Sequence, residues 1–373
     1  MKTAIFDKHL ELGGKMTDFG GWEMPLWYKK GQSVEHHATR KQVGLFDICH
    51  MGEFEITGTS SEEFFSKLLT NDVKGMKDGQ AMYNFMLNET GGVIDDCILY
   101  KFNTEKWMLV VNAGNIAEDF EWLKKNADEN TIVIDNSETT AKLDLQGPNA
   151  PKLIKKIAGE ESIKGLGFFK FRDNIDMGGV KVLLSRTGYT GEIGFELYCD
   201  TKDAVKLWDM LLKEGEEFEI EVCGLGARDS LRTEAGLPLH GHEVAPNFPA
   251  VGNPWNFVFE WDNHDFIGKD VLNKVKEDGI KTFVKPFMMD GRSKAMPGWN
   301  VLENGEIIGI VVSGVISPTL ENKPIGFMKI NKDLEEDVVL TFNQEGKKRI
   351  LEGKVSKSPF VKPTSRKKMK RFL

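Results

Sequence analysis

The chain has 373 residues, 40% of them hydrophobic, and carries a net charge of −8. That length exceeds one compact core and fits two or three domains, and the hydrophobic content excludes a disordered chain. The acidic balance argues against a general nucleic-acid binder, which needs a basic surface for phosphates, and no segment approaches the ~20 apolar residues of a membrane span.

The first part of the chain alternates helix and strand patterns. Asp7, Lys8 and Glu11 stand where a signal peptide is apolar, so the expected location is the cytoplasm, either as made or after loss of an address. Ser61 to Leu69 is predicted as an amphipathic helix, with Phe64, Phe65, Leu68 and Leu69 on one side. Val93 to Tyr100 is predicted as a strand entered through the turn Glu89-Thr90-Gly91-Gly92, and Lys106 to Val111 as another. A helix over Ala117 to Asn126 follows, then strands at Lys181 to Ser185 and Gly194 to Tyr198 joined by a Gly-rich turn. Leu225 to Ala235 is predicted as a helix stopped by Gly236 and then Pro238. The character changes near Val275 to Thr282. Beyond it come short predicted strands at Trp299 to Leu302, Glu306 to Ser313, Val338 to Phe342 and Lys347 to Val355, the spacing of a small β-barrel or sandwich. The tail from Lys362 to Leu373 is basic, which suits either a solvated terminus or attraction of an acidic partner such as a polyglutamate chain.

Four cysteines, Cys49, Cys97, Cys199 and Cys223, lie in apolar or strand-like segments without a Cys-x-x-Cys pair. Buried thiols in a reducing compartment are therefore expected rather than disulfides or a zinc site. His36-His37 and His240-Gly241-His242 have no acidic or cysteine ligand at metal spacing, so no metal is expected. The aromatic runs Phe19 to Tyr28 and Trp255 to Trp261 fit either core or a flat binding wall.

Three motifs carry possible chemistry. In the strand Val93 to Tyr100, side chains alternate between faces, so Asp96 shares one face with Ile94, Ile98 and Tyr100 and Asp95 shares the other with Cys97 and Leu99. A carboxylate among apolar neighbours needs a partner or a task. Either one of the two caps the preceding turn and the other pairs with an arginine, or one of them handles a proton or binds a cationic centre. The second motif, Ser185 to Glu196, places Glu196 on a strand after a turn with Gly188, Gly191 and Gly194. Its carboxylate is either a solvated surface group or a bidentate acceptor for two parallel N–H donors, such as the edge of a pterin ring. The third, Gly224 to Gly236, puts Arg228, Leu231, Arg232 and Ala235 on one helical stripe. Arg228 then needs a planar acidic or aromatic partner, either a ligand or an intramolecular carboxylate such as Glu196 or an Asp. Its Gly-x-Gly lacks the third glycine of a dinucleotide fingerprint, and no Walker loop, nucleophile elbow or His-Glu-x-x-His is present.

Taken in order, these segments resemble one family. Asp18-Phe19-Gly20-Gly21-Trp22-Glu23-Met24-Pro25 is similar to the N-terminal signature of glycine cleavage T-proteins. So are Gly44-Leu45-Phe46-Asp47, His50-Met51-Gly52-Glu53, Thr70-Asn71-Asp72-Val73 and Ala81-Met82-Tyr83. The resemblance continues through Gly91 to Asp96, Val111-Asn112-Ala113, Gln146-Gly147-Pro148, the two Gly-rich motifs, Asp265 to Lys269 and Ser313 to Thr319, so it spans nearly the whole chain. It implies an α+β cloverleaf of three domains. Residues 1–275 are expected to form two interleaved α/β lobes around a central folate site, and residues 283–373 a C-terminal β-barrel. It also implies aminomethyltransferase activity. An aminomethyl carbon is moved from a lipoyl carrier protein to the co-substrate tetrahydrofolate, with release of ammonia. On this resemblance Asp96 is the catalytic carboxylate and Glu196 and Arg228 bind folate, with Met51, Tyr83, Asn112 and Tyr189 at further pocket positions. The chain departs from the pattern at Cys49, commonly Ser, and at Asn253-Pro254-Trp255-Asn256-Phe257 with Glu260, where Gly-Leu-x-Trp and a basic residue are usual. The second departure keeps open a folate-dependent demethylase acting on a small N- or S-methyl donor. A non-catalytic folate-binding assembly factor is disfavoured because its Lys-Gly-Cys-x-Gly-Gln-Glu signature is missing.

Overall fold

The chain leaves its first large sheet before completing it. In the computed structural model, which describes residues 1–373, the strand Val43–Asp47 belongs to a six-stranded sheet. The next strands, Gly52–Thr57, Gln80–Leu87, Val93–Asn103, Lys106–Val111 and Ile132–Asp135, instead build a separate five-stranded sheet. The chain then returns to the first sheet with Thr140–Gln146, Phe171–Met177, Val180–Ser185, Gly194–Asp200 and Ile220–Cys223. Two lobes are thus interleaved in sequence. Thr140–Gln146 lies inside the six-stranded sheet, antiparallel to both Gly194–Asp200 and Val43–Asp47. These strands are buried along nearly their whole length, so the polar residues within them need partners.

The lobes meet along a seam. Ala81, Tyr100 and Val110 of the five-stranded sheet pack against Phe171, Leu183 and Tyr198 of the six-stranded one. The Tyr100 and Tyr198 hydroxyls are 2.9 Å apart across it. Each lobe has its own core and covering helices. The helix Ser61–Leu68 starts with Glu62 and Glu63, favourable at the positive end of its dipole, and buries Phe64, Phe65 and Leu68 under the five-stranded sheet. Ala204–Gly215 buries Leu207, Trp208 and Leu211 in the core of the six-stranded sheet. The helix Leu225–Glu234 ends where Gly236 takes a positive φ of 74°, as the Gly-then-Pro order predicted.

After this helix the chain crosses back to the five-stranded lobe. The Val93 N–H donates to Ala245 O at 3.0 Å, and Val244, Trp255 and Phe266 join Phe85, Leu87 and Val93 in one core. The aromatic run Trp255 to Trp261 is therefore divided between uses. Trp255 and Val258 are buried, whereas Phe257 is exposed beside Tyr83. At the crossing the backbones nearly touch. A Cβ on Gly92 would lie 2.1 Å from Pro246 O. Gly92→Ala is expected to destabilise the protein by about 1–3 kcal/mol through forced backbone movement. Thermal unfolding measures this, and an unchanged transition would show that the crossing yields freely.

The helix Lys269–Glu277 leads to a closed barrel of six strands, Phe283–Met289, Asn300–Glu303, Glu306–Ser317, Lys323–Ile330, Val339–Asn343 and Ile350–Val355. Sequence reading gave four of these and left barrel and sandwich open. The two it missed contain Pro286 and Pro324, and proline within an apolar run argues against a strand. The sequence-predicted strand from Lys347 begins later, at Ile350. The basic tail runs back over the six-stranded lobe. Thr364 N–H donates to Gly191 O at 2.8 Å, and Arg186 donates to Ser365 O at 3.0 Å. No helix is long and apolar enough to cross a membrane.

Candidate active site

At the seam between the lobes, side chains of both sheets and of the helix Leu225–Glu234 converge. Strand alternation sorts the two carboxylates of the Val93–Asn103 strand as expected. Asp95 is fully buried on the face carrying Cys97 and Leu99, while Asp96 is half-buried on the opposite face with Ile98. Neither pairs with an arginine.

Asp96 is held by two donors. Tyr83 Oη donates to Asp96 Oδ2 at 2.9 Å, from the neighbouring strand Gln80–Leu87. Asn112 Nδ2, just past the strand Lys106–Val111, donates to Asp96 Oδ1 at 3.0 Å. Asn112 also holds Asp95, through its backbone N–H at 2.8 Å and its Nδ2 at 2.8 Å. Asn115 Nδ2 adds a further donor to Asp95 Oδ1 at 2.8 Å and lies 2.9 Å from His240 Nδ1. Because His240 Nε2 faces the carbonyl of Val93 at 3.1 Å, that nitrogen carries the ring proton and Nδ1 accepts from Asn115. Burial, then the charge of Asp95, raises the Asp96 carboxyl to about 6, despite the opposing hydrogen bonds from Tyr83 and Asn112.

Across the seam, three polar residues alternate along Thr140–Gln146 with Leu143 and Leu145 on the opposite face: Lys142, Asp144 and Gln146. They meet Glu196, which faces Asp144 in the antiparallel register. Glu196 is 3% exposed, not a solvated surface group. Its Oε2 accepts from Thr187 Oγ1 at 2.6 Å, Tyr198 Oη at 3.1 Å and Tyr100 Oη at 3.2 Å. Its Oε1 lies 3.3 Å from Lys142 Nζ. Burial works against ionisation of Glu196, but Lys142, the Thr187 hydroxyl and Arg228 outweigh it and hold the carboxyl below its ordinary value.

Of the partners that the sequence left open for Arg228, the structure selects an Asp. Its carboxylate is Asp144, with Nη1 3.1 Å from Oδ2, and not Glu196, whose cation is Lys142. Burial and then Glu196 raise the Asp144 carboxyl to about 7, against the pull of Arg228. Tyr189, in the Gly-rich turn, lies under the Arg228 guanidinium at 4.7 Å from ring centre to Cζ and donates its hydroxyl to Pro238 O. Only Nη1 of Arg228 is hydrogen-bonded within the chain, which leaves Nε and Nη2 as free donors. Met51 completes this side, its Sδ 3.5 Å from Lys142 Nζ. The companion on the same helix, Arg232, is buried and paired with Glu243 at 3.0 Å and Ser313 at 2.9 Å. It fastens the helix to the barrel rather than facing a ligand.

All seven sequence-predicted site residues therefore line connected polar clusters. Tyr83, Asp96 and Asn112 form one; Met51, Glu196, Arg228 and Tyr189 form the other. Sequence reasoning missed Lys142, Asp144, Asn115 and His240. The alternation Lys142, Asp144, Gln146 inside an apolar strand was the available signal for the first two. His240 had been weighed only as a metal ligand. His36, from the other pair, bonds Ser230 at 2.8 Å and Thr319 at 3.0 Å, and it lies 3.2 Å from Glu234.

A family model described as the GCVT N-terminal domain matches residues 5–262. An aminomethyltransferase of Halalkalibacterium halodurans is 41% identical over 364 residues, covering 97% of this chain and 98% of that one. An aminomethyltransferase of a Geobacillus species is 42% identical over 363 residues, with 97% and 98% covered. The crystal structure of the glycine cleavage system aminomethyltransferase T from Bartonella henselae matches with a TM-score of 0.88 at 30% identity, covering 98% of this chain and 99% of that chain.

Proposed function

The chain belongs to the aminomethyltransferase family of glycine cleavage T-proteins, and from that membership we propose that this site carries tetrahydrofolate-dependent aminomethyl transfer with Asp96 as the catalytic carboxylate. The donor is an aminomethyl group on the thiol of a lipoyl carrier protein. The atom balance is closed: the carbon loses its bonds to sulfur and to nitrogen and gains bonds to N5 and N10 of tetrahydrofolate. The two N–H protons go to ammonia and to the released thiol, and 5,10-methylenetetrahydrofolate results. Residues 1–275 form the transfer unit in this reading and residues 283–373 the barrel unit. Four buried, unpaired thiols fit a reducing cytoplasm.

Tetrahydrofolate supplies two adjacent nucleophilic amines; the chain supplies position and charge. Glu196 Oε1, with Lys142 as its one partner, is the acceptor offered to a pterin N–H, while Oε2 is already engaged by three hydroxyls. Arg228 offers Nε and Nη2 to an acceptor on the same ligand. Met51, Tyr83, Asn112 and Tyr189 shape the walls. Asp96 faces the developing positive charge on the transferred carbon and takes a proton from the attacking amine. The single observation that carries this reading is the Asp96 carboxylate, half-buried at the seam between the two fixed donors Tyr83 and Asn112.

Two pH trends follow for Asp96. Its carboxyl is raised to about 6, so kcat/KM is expected to fall as pH drops through about 6, as the base is protonated. Its contribution to stability runs the other way. Because the folded carboxyl binds its proton more tightly than an ordinary aspartate, which titrates at 3.8, that contribution is greatest below 3.8 and is lost as pH rises through about 6. A pH profile of turnover beside thermal unfolding over the same range measures both, and an activity flat through pH ~6 would remove Asp96 as the base.

Turnover tests the donor. With tetrahydrofolate and aminomethyl-loaded lipoyl carrier, ammonia and methylenetetrahydrofolate are expected in equal amounts. Product from small methylated amines or sulfonium compounds, without carrier, would replace this donor with that of a demethylase.

A further inference from the structure

Behind Asp96 lies a carboxyl that the transfer reaction does not touch. Asp119 is completely buried on the helix Ile116–Asn126, and neither of its oxygens has an N–H or hydroxyl donor. Asn115 precedes it by one turn on the same helix face, and Asn115 Nδ2 holds Asp95 Oδ1 at 2.8 Å. That turn sets the Asp119 carboxyl beside the Asp95 carboxyl, whose charge acts on it most after burial. Two carboxyls bond to one another only through a proton, and the donors decide which keeps it. Asp95 accepts three N–H bonds, from Asn112 N, Asn112 Nδ2 and Asn115 Nδ2, which favour a carboxylate. Asp119 accepts none.

We propose that Asp119 is a positioning residue for the transfer site, a buried carboxylic acid that keeps its proton, donates it to Asp95, and through Asp95 and Asn112 sets the orientation and charge of Asp96. The inference rests on the role of Asp96 given above. The titratable groups around Asp119 are Asp95 and Cys97 on its side of the strand, Asp96 on the far side and Glu118 from its own helix; His240 lies beyond Asp95. Burial and then the Asp95 charge push the Asp119 carboxyl up to about 10, which agrees with the donor count. The consequence reaches Asp96 because Asn112 spans Asp95 and Asp96. Without the Asp119 proton, Asp95 loses a donor to its charged form. The Asp95–Asp96 pair then takes up its first proton at higher pH.

The test compares Asp119→Ala with Asp119→Asn, which keeps a donor but cannot ionise. Asp119→Ala is expected to lower kcat roughly ten- to hundredfold and to move the acid limb of the pH profile upward, while Asp119→Asn restores the greater part of kcat and the wild-type limb. Infrared difference spectra of the wild-type protein at about pH 8 are expected to show a protonated-carboxyl C=O band that Asp119→Asn removes. The proposal falls if that band is missing, or if both variants are equally impaired. It also falls if Asp119→Ala lowers the melting temperature alone and leaves kcat and the limb in place. The infrared band needs no substrate. Failure of the transfer reading would therefore appear separately, as a wild-type protein with the band but without turnover.

Discussion

Asp96→Asn is expected to lower kcat by about 10²–10⁴, the usual range for loss of a positioned base, while folate still binds. The substitution keeps the size of the side chain and keeps an oxygen for Tyr83 or Asn112, so the site retains its shape. What disappears is the charge. Asp95 stays 0% exposed beside it, and the repulsion that helps raise Asp96 is relieved, so thermal stability is expected to hold or rise. Single-turnover measurement with tetrahydrofolate at saturation isolates the chemical step from binding. A slow step with unchanged folate affinity supports the assigned role. Near-normal turnover with folate bound would withdraw it.

Glu196→Gln is expected to act on binding and folding together. Lys142 is 1% exposed and would lose its closest carboxylate, and three hydroxyls would lose their anionic acceptor. Breaking one side of a buried pair costs about 2–5 kcal/mol, because the remaining charge stays desolvated. Folate affinity is expected to drop by roughly a hundredfold, since a neutral amide offers a pterin donor a weaker acceptor than a carboxylate. The double variant Glu196→Gln with Lys142→Met separates the two effects. Removing both charges is expected to recover much of the stability and none of the folate affinity. Recovery of both would mean that Glu196 serves the fold alone.

Much of this arrangement was legible in the residue pattern. The period-2 alternation around Asp95 and Asp96 gave their opposite faces, and the Gly236-Pro238 punctuation gave the end of the site helix. Other parts depend on which strands become neighbours, and one strand's periodicity carries no such information. Glu196 read alone suits a half-exposed strand. It is buried because Thr140–Gln146 pairs with it on one side and Val180–Ser185 on the other. The same pairing brings Lys142 to Glu196 and leaves Asp144 for Arg228, a choice of partner that the sequence had left open. The interleaving of the lobes likewise rests on long-range pairing, since Val43–Asp47 meets Thr140–Gln146 only after the intervening sheet is built. The helix carrying Asp119 was predicted, but nothing in the residue pattern singled out Asp119. Its burial follows from the helix docking by its Asp119 and Leu123 face.

The crystal structure of this protein with tetrahydrofolate bound tests the central claim most directly. The pterin is expected at the seam between the lobes, with an N–H on Glu196 Oε1, Arg228 Nε or Nη2 on an acceptor of the same molecule, and N5 turned toward Asp96. Folate seated there with N5 against the Met51 side and Asp96 still bonded only to Tyr83 and Asn112 would contradict it.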